Sequence, residues 1–217
     1  MIKNFKVTII VALIFLLPIN IFSLSKVSEI NFRAIWVVRS SLVSKTQIDK
    51  FLDFVIKNNF NNIFIQVRGR GDAFYNSSFV PKSNLINDKN FDPLLYVLDK
   101  SKDSGIKVHI WLNVLLIWSS KLKPNDPFHI YNQYPDWIDK SSLVKQNVNL
   151  NNFQYLSPSH PEVKSYLKKI LTELLLKYDF DGIHYDYIRY SDLDYGYNYY
   201  ARELFKTKFN IDPINFS

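Results

Sequence analysis

Four short runs of β-branched and aromatic residues, each followed by a segment with helical periodicity, limit the possible folds of this chain more than any other feature. The runs are residues 33–38, 62–68, 107–113 and 181–186. A helix between two strands favours a parallel pair, because a crossover connection is needed to join parallel strands. The alternation therefore predicts an α/β fold whose four parallel strands are adjacent in chain order.

Capping signals mark the start of the helices between these strands. Ser44 with Gln47, and Ser159 with Glu162, have the spacing of capping boxes. The Asp-Pro pair at residues 92–93 supplies an N-cap followed by proline at the first helical position. We predict that a helix begins at each of these places.

The predicted sheet could close into a barrel or remain open with helices on both faces. No glycine-rich phosphate loop follows the first strand, which argues against dinucleotide binding, and we expect no cofactor. Long loops follow strands two, three and four, at the edge where a TIM barrel builds its active site. We predict a (β/α)8 TIM-barrel type of fold, with four βα units present and one last helix at residues 198–210.

Polar side chains are expected to converge at the carboxyl ends of the four strands. Side chains alternate along a strand, so Gln66 and Arg68 are predicted to share one face, and this face would point into the barrel mouth. The residues predicted to meet there, from strands and loops, are Arg68, Asp72, Asn113, Trp118, His184, Asp186 and Arg189.

Five strings, taken in their order and spacing, resemble a known family: FRAIWVV, NNIFIQVRGRGDAFY, KVHIWLN, LSPSHPEVKSYL and DFDGIHYDYIRY. From about residue 32 to 212 the chain resembles the glycosyl-hydrolase-like 10 family of bacterial exported TIM barrels. The resemblance implies a glycoside hydrolase acting on a bacterial cell-wall or other polysaccharide. It does not identify the sugar.

The resemblance also implies roles for the residues at the mouth. Asp186 matches the acidic residue of the family and would be the ionised carboxylate, acting as nucleophile or base. Arg68 and Arg189 would lower its pKa if they lie close to it. The residues expected to bind substrate are Arg68, Asp72, Asn113, Trp118, His184 and Arg189.

Structural roles remain open for several of these residues. Asp186 can cap the turn after its strand, His184 can be a satisfied core histidine, and Arg68 can pair with Asp72. A metal-dependent hydrolase that uses His109, His184, Asp72 and Asp186 is a lesser alternative. The first strand lacks the two histidines that such barrels usually carry there, so we expect no metal.

The first 25 residues are predicted to be a signal peptide. Lys3 and Lys6 precede an apolar run from Val7 to Leu17, and small residues at 23–25 suit a signal peptidase. Residues 26–217 would then form the barrel domain of an exported protein, periplasmic or extracellular. An uncleaved membrane anchor is the alternative.

Charge and cysteine content limit which partners and which kinds of site are possible. The chain has a formal net charge of +7 and contains no cysteine. The charge suits anionic glycans or anionic lipid surfaces, although we expect no membrane partner once the signal peptide is removed, and export makes nucleic acid an unexpected partner. Because cysteine is absent, a disulfide scaffold, a thiolate metal site and a cysteine nucleophile are excluded.

The length raises a question about completeness. A TIM barrel typically takes about 250 residues, whereas this chain has 217. We expect it to be the N-terminal half of a barrel, with the general acid on a later strand. Its open sheet edges would allow self-association. The alternative is a catalytically inactive glycan-binding remnant of such a barrel.

Overall fold

The computed structural model describes residues 31–142 and 153–216. The signal peptide predicted at residues 1–25 lies outside the described residues. Within the described ranges, no helix is long and apolar enough to cross a membrane.

Strands and helices alternate through most of the described part of the chain. In chain order the elements are β1 (Ala34–Val37), α1 (Lys45–Lys57), β2 (Asn62–Arg68), α2 (Pro93–Ser101), β3 (Lys107–Asn113), β4 (Leu116–Ser119), α3 (Ile130–Gln133), β5 (Phe153–Tyr155), α4 (Pro161–Lys177), β6 (Gly182–Asp186) and α5 (Tyr199–Phe209). Short 3-10 helices occur at Arg39–Leu42, Pro135–Trp137 and Pro213–Phe216.

The main sheet confirms the predicted topology. Its order is β1-β2-β3-β6, and all three pairs of neighbouring strands are parallel. Trp36, Phe64, His109 and Gly182 lie side by side across the four strands. In the described residues these strands do not close a barrel, because β1 and β6 form the two edges of the sheet.

The two faces of the sheet differ in composition, as the period of two along each strand requires. Ile63, Ile65, Val67 and their neighbours on β3 are buried against the helices. Burial of each such side chain stabilises the fold by about 1.5–3 kcal/mol. The opposite face carries an aromatic layer: Trp36 stacks on Phe64 at 4.9 Å, and the Phe64 ring stacks on an imidazole of β3 at 4.7 Å.

The helix starts agree with the capping signals at two places and differ at the third. The Ser44 hydroxyl accepts the Gln47 N–H, and the carboxylate of Asp92 accepts a backbone N–H of α2. The predicted cap at Ser159 is wrong: His160 is the N-cap and accepts from the N–H of Glu162. Proline at the first position of α4 fixes the helix start, so the cap is the residue directly before it.

The long connection between β3 and α4, predicted without regular elements, contains a small antiparallel sheet. Strands β4 and β5 pair with each other, and α3 lies between them in the sequence. Trp118 therefore lies on a strand and not in a loop. Apolar residues of this ribbon form a second core with the start of α4, and its members include Leu116, Ile117, Trp137 and Leu156.

Candidate active site

Asp186 ends β6 at the carboxyl edge of the sheet, and two N–H groups hold its carboxylate. The indole of Trp111 donates to one oxygen at 3.1 Å, and the backbone N–H of Tyr187 donates to the other at 2.7 Å. These two bonds fix the partly buried carboxylate in position. The sequence did not single out Trp111 for this role.

The residue after Asp186 has an unusual backbone conformation. Tyr187 has φ of 53°, in the left-handed region that a bulky side chain rarely occupies. Such a residue costs on the order of 1–3 kcal/mol and is often found at functional sites. The carbonyls of Asp186 and Tyr187 accept the N–H groups of Val114 and Leu115 at 2.8 and 3.3 Å, which secures the turn.

The structure corrects the expected position of Arg68. The strand register shifts between Gln66 and Arg68, so that Arg68 pairs with Leu112 and lies on the helix side of the sheet. Its side chain is only 1% exposed and donates to the carbonyls of Asn113 and Val114. Within the described residues it forms no ion pair with Asp72 or Asp186.

Asn113 is buried, and its side chain supports the mouth from within. Its amide donates to the Gly69 carbonyl at 2.8 Å and accepts from Gln66 at 3.3 Å. Gln66 in turn accepts from Arg39 at 3.1 Å. This chain of hydrogen bonds joins the carboxyl ends of β1, β2 and β3.

Asp72 and Trp118 contact a second group of residues, beside the hydrogen bonds that link Arg39, Gln66 and Asn113. Asp72 accepts the backbone N–H of Arg70 at 2.9 Å. The guanidinium of Arg70 lies 5.8 Å from the ring centre of Trp118, and His129 contacts the same ring edge-on at 5.3 Å. Arg70 and Asp72 lie in the loop after β2, as predicted for Asp72, whereas Trp118 lies on β4 and His129 lies between β4 and α3.

His129 locks the loop after β2 in place. Its Nδ1 accepts from Tyr131, so Nε2 carries the proton and donates to the Arg70 carbonyl at 2.6 Å. Burial lowers the pKa of this imidazole, which keeps it neutral. Gly71 has φ of 74°, and a Cβ there would lie 2.9 Å from the imidazole, so only glycine fits this approach.

His184 and Arg189 lie two and three residues from Asp186 in the sequence, but in the described structure their side chains contact other groups. The His184 ring packs edge-on against Phe64 at 5.5 Å and Trp111 at 6.3 Å. The Arg189 guanidinium lies over the rings of Tyr155 and Tyr187 at 5.8 and 5.4 Å. In the described part of the chain, no ion pair joins Arg189 to Asp186.

The residues considered for a metal-dependent hydrolase do not come together at one site. His109 pairs in register with Gly182, four residues before Asp186 on the same strand, which separates the two by roughly 13 Å at 3.3 Å per residue. His109 bonds instead to Asn62 at 2.8 Å. Among the residues that the structure describes, no cluster of three His, Asp or Glu side chains is arranged to hold a metal ion.

Arg39 is a second residue at this mouth, after Trp111, that sequence reasoning missed. It follows β1 almost directly, so the same rule that selected residues after the other strands points to it. A cavity of about 340 Å³ opens beside it, lined also by Arg70, Asp72, Trp118 and His129. This volume lies within the range of small-ligand pockets.

Comparison with solved structures defines the class of fold. The chain superposes on α-L-fucosidase isoenzyme 2 from Paenibacillus thiaminolyticus with a TM-score of 0.61 and 16% sequence identity, covering 84% of this chain and 26% of that one. The fold is thus of the TIM-barrel type found in glycosidases, and four of its strands are described here.

The chain belongs to the glycosyl hydrolase-like 10 family, whose pattern matches residues 31–216. It is 30% identical over 170 residues to glycosyl hydrolase DigH of Escherichia coli K12, covering 71% of this chain and 36% of that protein. It is 26% identical over 191 residues to glycosyl hydrolase YngK of Bacillus subtilis, covering 79% and 34%. The chain therefore spans about one third of the length of these relatives.

Proposed function

We propose that this chain carries the catalytic carboxylate of a glycoside hydrolase acting on a polysaccharide, with bacterial cell-wall glycan as the first candidate. The observation that carries the proposal is the fixed position of Asp186 at the carboxyl edge of a glycosidase-type sheet. Family membership and the glycosidase fold support the same reaction class.

The hydrogen bonds of Asp186 suit a role in glycoside cleavage. N–H donors from Trp111 and Tyr187 fix its two oxygens in place, and a fixed negative charge at this position would stabilise the oxocarbenium-like transition state. The same carboxylate can attack the anomeric carbon or accept a proton from water. A second, protonated carboxyl group donates to the leaving oxygen in either course.

The proposal is tested by measuring new reducing ends from purified cell-wall glycan, neutral glucans and acidic polysaccharides. The assay uses the 217-residue chain and, beside it, the longest reading frame that contains it. Glycan hydrolysis that depends on Asp186 is expected in the longer form. Glycan binding by both forms without hydrolysis by either would instead identify a glycan-binding module.

Export is proposed from the basic start and apolar run of the N-terminus. Secreted or periplasmic protein is expected to begin at Lys26 or within a residue or two of it, because signal peptidase cuts after small residues. N-terminal sequencing of the product checks this. Leu13→Arg, which interrupts the apolar run, should hold the protein in the cytosol, and a wild-type cytosolic product that retains Met1 would contradict the proposal.

Self-association is proposed for the 217-residue chain on its own. In the described residues β1 and β6 each pair on one side only, and Trp36 on β1 is 54% exposed. Unpaired edges template pairing with another chain, and a charged side chain on the edge opposes it. Light scattering should show dimers or larger species for the wild type and less association for Trp36→Lys; a stable wild-type monomer would refute this.

A further inference from the structure

The cavity beside the candidate active site has an excess of positive charge. It lies between the segments that follow β1, β2 and β3, and its volume is about 340 Å³. Its charged lining consists of four basic and two acidic residues, which are Arg39, Arg70, Lys82, Lys123, Asp72 and Asp126. A concave site lined mainly by one sign of charge concentrates ligands of the opposite sign.

Arg39 brings a guanidinium into this cavity at an energetic cost. Burial is the main reason that its pKa is lowered; the negative charge of Asp72 opposes this, and the positive charge of Arg70 adds to the lowering by less. Its recorded hydrogen bond is to the neutral amide of Gln66. In the described part of the chain Arg39 forms no ion pair. Because a half-buried cation without an ion pair is unfavourable, an anion from outside the chain would stabilise it.

Arg70 also lacks a partner for part of its guanidinium group, which is an independent observation. Its Nε is buried and has no hydrogen-bond partner among the described residues, although a buried N–H is expected to be paired. The guanidinium lies over the Trp118 ring, which also lines the cavity. Two guanidinium groups thus border one small space.

Among the described residues, the two acidic groups of the cavity form no ion pair with these arginines. Asp72 accepts the backbone N–H of Arg70, and Asp126 accepts that of Phe128. Neither acid forms an ion pair within 4.0 Å in the described part of the chain. Lys82 is already used, since its ammonium donates to the carbonyls at residues 89 and 91.

We infer that Arg39 and Arg70 bind a carboxylate carried by a sugar of the glycan, in the cavity between the segments after β1, β2 and β3. A guanidinium presents paired N–H donors that match the two oxygens of a carboxylate. Arg39 is joined to the β2 and β3 strand ends through Gln66, so the bound sugar would lie next to the end of the sheet that carries Asp186. The inference rests on the proposed function for the glycan, whereas the binding itself does not require hydrolysis.

The test measures binding of three hexoses that differ in charge: glucuronate, glucose 6-phosphate and glucose. Titration of the 217-residue chain is followed by NMR at the indole N–H of Trp118 and the Nε–H groups of arginine. Glucuronate is expected to bind at least about tenfold more tightly than glucose, a difference of about 1.4 kcal/mol. High salt should weaken the binding of glucuronate and leave that of glucose unchanged.

Two variants and one control assign the binding to the cavity. Arg39→Gln and Arg70→Gln each remove one guanidinium, and each should abolish the preference for glucuronate. Lys164→Gln removes an exposed charge from α4 and should keep the preference. Far-ultraviolet circular dichroism and melting temperature show whether each variant is folded. If Arg39→Gln fails to fold, Arg70→Gln still tests the inference.

Each outcome decides the inference. Equal affinity for glucose and glucuronate, or a preference that survives both arginine variants, overturns it. Tighter binding of glucose 6-phosphate through the same arginines would show that the site prefers a phosphate, and this overturns the assignment of a carboxylate ligand. Glucuronate binding without any Asp186-dependent hydrolysis supports the anion site and contradicts the proposed hydrolase function. Hydrolysis without a preference for charged sugars supports the hydrolase function and contradicts the anion site.

Discussion

Replacing Asp186 by Asn is expected to lower the rate of glycan hydrolysis by about 10³-fold or more, or roughly 4 kcal/mol in activation free energy. The amide keeps the shape of the side chain and one acceptor for the N–H groups of Trp111 and Tyr187. It removes the negative charge that stabilises the transition state or forms the glycosyl intermediate. The rate is measured as release of reducing ends by the longest reading frame that contains this chain.

A matched substitution separates catalysis from stability in this experiment. Asp103→Asn removes the same charge from an exposed position before β3 and should leave the rate unchanged. The melting temperature of Asp186→Asn should stay within a few degrees of wild type. Full activity of Asp186→Asn would exclude this residue as nucleophile or base, and robust hydrolysis by the 217-residue chain would exclude the view that its acid partner lies on a later strand.

Replacing Asp139 by Asn is expected to stabilise the protein at neutral pH. Asp139 lies between the 3-10 helix at Pro135–Trp137 and the loop after β6, and it is only 4% exposed. Burial raises its pKa from 3.8 to about 6, and nearby backbone N–H groups only partly offset this. None of these groups reaches its carboxyl oxygens in full hydrogen-bond geometry.

The sign of the effect follows from the raised pKa. Below pH 3.8 the carboxyl group is protonated in both states and costs nothing. Between pH 3.8 and about 6 the unfolded chain releases the proton that the folded chain still holds, so the free energy of unfolding falls as pH rises. Above pH 6 the full cost is present, about 3 kcal/mol at 1.36 kcal/mol per pKa unit. Asparagine carries no such cost.

Denaturant unfolding at pH 7.5 and pH 4 measures this difference. The stabilisation of Asp139→Asn relative to wild type should be larger at pH 7.5 by roughly 2–3 kcal/mol. Asp53→Asn, on the exposed face of α1, serves as the control and should show little dependence on pH. A difference between Asp139→Asn and wild type that stays constant from pH 4 to 7.5 would show that the carboxyl titrates normally.

The sequence by itself determined the parallel order of the four strands and most helix starts. These features depend on local signals, because alternation sets which residues of a strand face the helices and a cap needs only the next few residues. The four strands of the main sheet lie within the predicted ranges, and Asp186 ends β6 at the carboxyl edge as expected. Family membership followed from the same strings.

Only the tertiary structure decided which polar side chains meet at the mouth. A shift of register between β2 and β3 turns Arg68 to the helix side, and such a bulge depends on pairing between strands and not on the residues of either strand alone. The contact of Trp111 with Asp186 and the approach of Arg39 to Gln66 join residues far apart in the chain. Local patterns name the residues near a strand end, whereas the register and the folded loops decide which of them face one another.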